Sequence, residues 1–212
     1  MEDTMSKVFG IFAVIVLVVG SLAADCDDDP GNLLAGINCA FDLGITGWTR
    51  LDGQLDYDTG DGYPSAGSAR AYANGGSEWF AMQTDACFEI PPSESYWFGA
   101  WARLEPTSDL STRCEVRFQV YDNSGCTGTT LSMPTTSWVD TPTTGWVLID
   151  GEFTSELVPR WAQLYALCMA DASPFAVLID DFFLMEDPRI FNDDFEDGNC
   201  FNWSVCPMGG PV

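Results

Sequence analysis

The sequence contains no histidine, and its only lysine is Lys7. Without an imidazole there is no Ser-His or Cys-His nucleophile pair and no histidine general base. No Cys-x-x-Cys pair occurs either, so a zinc site has neither its usual nitrogen ligand nor a local thiolate framework. Cations are scarce throughout: 8 Lys and Arg stand against 32 Asp and Glu, a formal net charge of −24. Such a surface repels phosphate backbones and anionic lipid, which makes nucleic acid and anionic membranes poor partners. It suits a soluble protein in a salty or calcium-containing exterior. Beyond residue 24 the chain also lacks long apolar runs and any convincing 3.6-residue apolar period.

What the chain does have begins with an export signal. Lys7 precedes an apolar run over residues 8–19 and then Gly20-Ser21-Leu22-Ala23-Ala24, small residues that suit signal peptidase after Ala23 or Ala24. Residues 1–24 are therefore expected to be a signal-peptide helix that is removed. The competing reading, a retained anchor, is disfavoured because 8–24 falls short of the roughly 20 apolar residues of a membrane span. The residue before Cys26 is Asp25, where a lipoprotein signal requires a small one. A mature chain of about 188 residues has room for one domain with a real core. It divides into an acidic linker at 25–31, a domain at 32–186 and a tail at 187–212. All eight cysteines follow the leader, and export with an even count favours disulfides. The shortest spacings predict Cys114 with Cys126 and Cys200 with Cys206; Cys26, Cys39, Cys87 and Cys168 then have three pairings among them.

The domain reads in period two. Tyr96, Phe98, Ala100, Ala102 and Leu104 alternate with Trp97, Gly99, Trp101 and Arg103. Val116, Phe118 and Val120 alternate with Glu115, Arg117, Gln119 and Tyr121, and Ala162, Leu164, Ala166 and Cys168 alternate with Trp161, Gln163, Tyr165 and Leu167. Further strands are expected near 69–73, 78–90, 128–133, 146–153 and 176–185, joined by Gly, Pro, Asp and Ser turns such as Asp61-Gly62-Tyr63-Pro64. This many short strands predict an all-β, antiparallel two-sheet β-sandwich, a jelly roll.

Phe41-Asp42-Leu43-Gly44 with Trp48, Ser65-Ala66-Gly67-Ser68-Ala69-Arg70, Tyr96 to Trp101, and Ile179-Asp180-Asp181-Phe182 together resemble the galactose-binding-like jelly rolls typified by family 4 and 9 carbohydrate-binding modules. The resemblance runs over most of 32–186. It implies that the 41–44 motif opens the sandwich and the 179–182 motif closes it. It also implies a structural calcium ion between the two, held by Asp42 and Asp180. Alternation along a strand would send Asp180 and Asp181 to opposite sides. The tail motif Phe195-Glu196-Asp197-Gly198, followed by Trp203-Ser204, resembles C-terminal segments of many bacterial exported proteins. Cys39 and Ala40 depart from the family pattern.

Sugars present C–H faces that pack on aromatic rings and hydroxyls that pair with planar hydrogen-bonding groups. The residues opposite the small apolar ones supply both: Trp97, Trp101 and Arg103 on one strand, Arg117, Gln119 and Tyr121 on a second, Gln163 and Tyr165 on a third. If the three strands share a sheet, one face carries all eight. The expected function is then a secreted, non-catalytic module that recognises a polysaccharide or cell-surface glycan. The competing class is a structural or adhesive envelope protein that uses the same sandwich to present an acidic surface. Glycosidase chemistry needs two carboxyls at a set separation in a cleft, and no local motif marks such a pair.

Overall fold

The computed structural model describes residue 26 and residues 31–73, 79–92, 94–156, 158–171 and 174–186. The expected signal peptide, most of the acidic linker, and the tail with Cys200 and Cys206 lie outside the described residues. The period-two pattern becomes twelve strands: β1 (Trp48–Asp52), β2 (Gln54–Asp58), β3 (Ser68–Ala73), β4 (Trp79–Thr84), β5 (Phe88–Ile90), β6 (Ser95–Leu104), β7 (Arg113–Tyr121), β8 (Thr130–Ser132), β9 (Val139–Asp140), β10 (Val147–Thr154), β11 (Arg160–Met169) and β12 (Phe175–Glu186). They form two antiparallel sheets. The five-stranded sheet has the order β10-β6-β12-β3-β2; the seven-stranded sheet has the order β1-β4-β11-β7-β8, with β5 beside β11 and β9 beside β7. Successive strands cross repeatedly between the sheets, as a jelly roll requires.

Strand alternation sends the small and aliphatic residues inward. On β6 the buried set is Tyr96, Phe98, Ala100, Ala102 and Leu104; on β11 it is Ala162, Leu164, Ala166 and Cys168. Aromatic rings fill the space between. Phe118 lies 4.7 Å from Phe98, 5.5 Å from Phe153 and 6.0 Å from Phe88, measured between ring centroids.

The opening motif is not a strand. Phe41 has φ +53° and sits in a run of turns; its ring is fully buried against Trp48 and Phe182 at 5.3 and 5.9 Å. A stretch of chain from Gly31 to Phe41 lies against the second half of β12 instead. The buried Asn32 side chain donates to the Phe182 carbonyl and accepts from the Leu184 amide, and the Cys39 carbonyl accepts from the Phe182 amide. The first motif thus meets the closing strand through side-chain and loop contacts rather than as a strand.

The expected pairing of Cys114 with Cys126 is not found. Cys114 pairs with Cys168, Cys87 with Cys126, and Cys26 with Cys39. Strand register is the reason: Cys114 on β7 and Cys168 on β11 stand directly opposite, with Cα atoms 4.1 Å apart. Cys126 is then left for the turn between β4 and β5. The stretch expected as one strand over 78–90 is broken at this turn, while Asp52 ends β1 in the seven-stranded sheet and Asp56 and Asp58 lie on β2 in the five-stranded one.

Burial also sets an alkaline limit. The Tyr96 phenol is pushed up to about 12 by burial and then by Glu186 and Glu94, whereas in the unfolded chain it ionises near 10. A raised phenol contributes stability that is whole below pH 10 and is lost as pH rises from 10 through 12. The melting temperature should therefore fall more steeply between pH 10 and 12 in the parent than in Tyr96→Phe. Parallel curves would remove Tyr96 as the cause.

Candidate functional site

The structure divides the eight expected ligand residues between two sheets. β6 lies in the five-stranded sheet, whereas β7 and β11 are neighbours in the seven-stranded one, so no single face carries all eight. Trp97, Trp101 and Arg103 point to the outer side of the five-stranded sheet. The loop between β2 and β3 reaches two of them: Tyr63 stacks on Trp101 with centroids 4.0 Å apart, and Arg103 pairs with Asp61 and lies 5.4 Å from the Trp146 ring centroid. Trp97 packs on Phe183 at 4.4 Å and donates its indole N–H to Asp150 at 2.8 Å.

The other five share the outer face of the seven-stranded sheet. Register arranges that face in rows across the strands. Glu89, Trp161 and Tyr121 form the first row; Gln163 and Gln119 the next; Gln83, Tyr165 and Arg117 the third. Each of these residues alternates with a core residue on its own strand. Three of them, Glu89, Trp161 and Gln83, were not among the expected site residues. Alternation alone put Trp161 on the face of Gln163 and Tyr165; Gln83 needed the pairing of β4 with β11.

The polar groups are held in place by neighbours. The Gln163 amide donates to the Thr84 carbonyl at 2.9 Å, and the Gln119 amide donates to Thr130 Oγ1. Arg117 pairs with the buried Glu115 and reaches Met133 Sδ. Its Nε is buried and makes no hydrogen bond within the protein. Burial lowers the Arg117 guanidinium from its ordinary value. Burial, followed by a hydrogen bond with Tyr121, raises the Tyr165 phenol. Both effects leave the ionic state at neutral pH unchanged: a cation at Arg117, a neutral phenol at Tyr165.

Of the two expected metal ligands, Asp180 lies on β12 in the five-stranded sheet and Asp42 is exposed in the opening turn. Asp180 is fully buried; it accepts the Tyr63 amide at 2.6 Å and the Asp181 amide at 2.8 Å. Asp42 accepts the Ser65 hydroxyl at 3.0 Å. Asp181 has φ +49°, and β12 shifts register between Asp180 and Phe183. This bulge defeats the alternation argument, because Asp181 lines the same outer cavity as Trp97 and Trp101. No three of His, Cys, Asp or Glu come together among the described residues. Other oxygens do converge there. A Cβ on Gly62 would lie 2.2 Å from the Ser65 carbonyl oxygen and 2.3 Å from that of Gly67, and the buried Ser68 hydroxyl beside them makes no hydrogen bond. Carbonyl, hydroxyl and carboxylate oxygens are the donors calcium takes, so the residues fit the ion.

No protein-family model matches the sequence, and no curated protein matches it. Solved structures do match. The chain is similar to a family 16 carbohydrate-binding module, at 20% identity over 73% of this chain and 100% of that one, with TM-score 0.52. The chain has the fold of carbohydrate-binding modules. The chain is also similar to the CBM22-1 xylan-binding domain from Paenibacillus barcinonensis Xyn10C, at 17% identity over 69% of this chain and 90% of that one, TM-score 0.51. A third match, the enzymatically active domain of bacteriophage CBA120 tailspike protein 4, has 10% identity over 74% of this chain but 22% of that one, TM-score 0.53. Identities this low speak for the two-sheet architecture alone.

Proposed function

We propose that the protein is a secreted, non-catalytic module that binds a neutral polysaccharide on the outer face of its seven-stranded sheet. The observation that carries this reading is the row pattern. Trp161 offers a ring for a sugar's C–H face, and Gln163, Gln119, Tyr165 and Arg117 stand beside it with amide, phenol and guanidinium groups for the hydroxyls. Arg117 Nε, which makes no hydrogen bond within the protein, is a donor that a hydroxyl-bearing ligand could satisfy after a small side-chain shift. Export, disulfide pairing and strong net charge accord with work outside the cell.

Non-catalytic action is proposed because the sequence has no histidine base and because Glu115, the only carboxylate that β7 and β11 direct outward, is buried in its pair with Arg117. Affinity gel electrophoresis against soluble xylan, β-glucan, galactan and glucomannan tests the reading. Retardation by at least one of them is expected; migration unaffected by all four, together with a silent glycan array, would leave the envelope-protein reading standing.

Calcium belongs to the same proposal as a structural ion. Asp180, Asp42 and the carbonyls of Ser65 and Gly67 would hold it. Bound there, it would tie the opening segment and the β2–β3 loop to β12. An ion present at about 100 times its dissociation constant stabilises by about 2.7 kcal/mol, which for a domain of this size is a shift of roughly 5–10 °C. The melting temperature should thus fall by several degrees when calcium is exchanged for EDTA, and Asp180→Asn should abolish the difference. Identical melting in calcium and EDTA would remove the ion from the account.

A further inference from the structure

The far end of the same sheet face carries a second aromatic cluster that the binding reading does not use. Trp79 at the start of β4 stands across from Met169 on β11, and Met169 stands across from Arg113 on β7. Trp138, immediately before β9, turns over this end. Its ring meets Trp79 edge-on with centroids 6.1 Å apart, and the Arg113 guanidinium lies 5.6 Å from its centroid. Trp79 is 41% exposed, although a ring of its size usually lies mostly covered.

Distance and chemistry join this cluster to Trp161. Both ends belong to the outward side of β11, where Trp161 and Met169 are eight positions apart, about 26 Å at roughly 3.3 Å per residue. Between them the face presents amides, a phenol and a guanidinium rather than a continuous apolar strip. A protein partner would be expected to meet a drier, more apolar centre; rings at both ends with hydrogen-bonding groups between suit a hydroxyl-rich chain. The net charge of −24 selects a neutral chain over an acidic one.

We propose that Trp79 and Trp138 form a second glycan subsite, so that the ligand is an extended neutral polysaccharide long enough to reach both ends of the face. This rests on the carbohydrate-binding reading above and adds to it a requirement for chain length. A trisaccharide fills the Trp161 end alone, whereas a longer chain engages both.

The test compares the full chain with Trp79→Ala, Trp138→Ala and Trp161→Ala on soluble xylan, β-glucan, galactan and glucomannan by affinity electrophoresis. Calorimetry then follows with the tri- and hexasaccharide of each polymer that retards the parent. Trp79→Ala and Trp138→Ala should each weaken polymer and hexasaccharide binding about tenfold and leave trisaccharide binding unchanged, while Trp161→Ala weakens both. Two variants on different strands guard against a local folding defect at β4. Parent-like polymer binding by Trp79→Ala and Trp138→Ala, with binding lost in Trp161→Ala, overturns the second subsite and leaves the proposed function intact. Failure of the parent to bind any of the four overturns both.

Discussion

Trp161→Ala should lose roughly 30-fold or more in affinity for the retained polysaccharide while melting within a degree or two of the parent. An indole that serves as a central contact costs about 2 kcal/mol or more when truncated, and each 1.4 kcal/mol is tenfold in affinity. Trp161 is half-buried on the outer face, and its strand is anchored by Ala162 and Leu164 in the core, so the fold does not depend on its ring. Trp101→Ala should behave in the opposite way. Its ring stacks under Tyr63, beside the fully buried Asp180, so its loss loosens the β2–β3 loop and lowers the melting temperature with little change in binding. Loss of binding in Trp101→Ala with Trp161→Ala unaffected would place the site on the wrong sheet.

Replacing both Cys114 and Cys168 by Ala should lower stability by about 2–4 kcal/mol and the melting temperature by roughly 10 °C. The bridge closes 54 residues of sequence between the two central strands of the proposed face, and loop closure of that length is worth on the order of 4 kcal/mol in the chain-entropy relation. Thermal melting of the double variant measures the effect directly. Peptide mapping without reduction gives an independent check: a Cys114–Cys168 linked peptide is expected, and a Cys114–Cys126 linkage would contradict the pairing and with it the register of β7 on β11.

These two results separate what was legible in the sequence from what was not. Side-chain alternation revealed the strands at 95–104, 113–121 and 160–169 and which residues each would bury, because period-two patterning is a local property. Partnership between strands is not local. Nothing in the order of residues says that β6 pairs with β10 and β12 while β7 pairs with β11, and so one expected face of eight residues became two faces on different sheets. Register is non-local in the same way. It set Cys114 against Cys168 and brought Gln83 beside Tyr165, neither of which spacing along the chain could reveal. The opening motif failed differently: Phe41 takes a positive φ in a turn and is fixed by burial against Trp48 and Phe182, a tertiary contact that overrode a strand-like pattern. Asp181 shows a bulge doing the same to the alternation of an otherwise regular strand.

The placement of the site can be read in one experiment, because the sequence carries 8 tryptophans and each indole N–H gives its own signal in a 15N correlation spectrum. Titrating the parent with the hexasaccharide of the polymer that retards it, with signals assigned by single Trp→Phe variants, maps the contact directly. The account predicts that the signal of Trp161 shifts strongly, with those of Trp79 and Trp138 following it, while those of Trp48, Trp97 and Trp101 stay in place. Shifts confined to Trp97, Trp101 and Trp146 would contradict it, and would move the glycan to the five-stranded sheet.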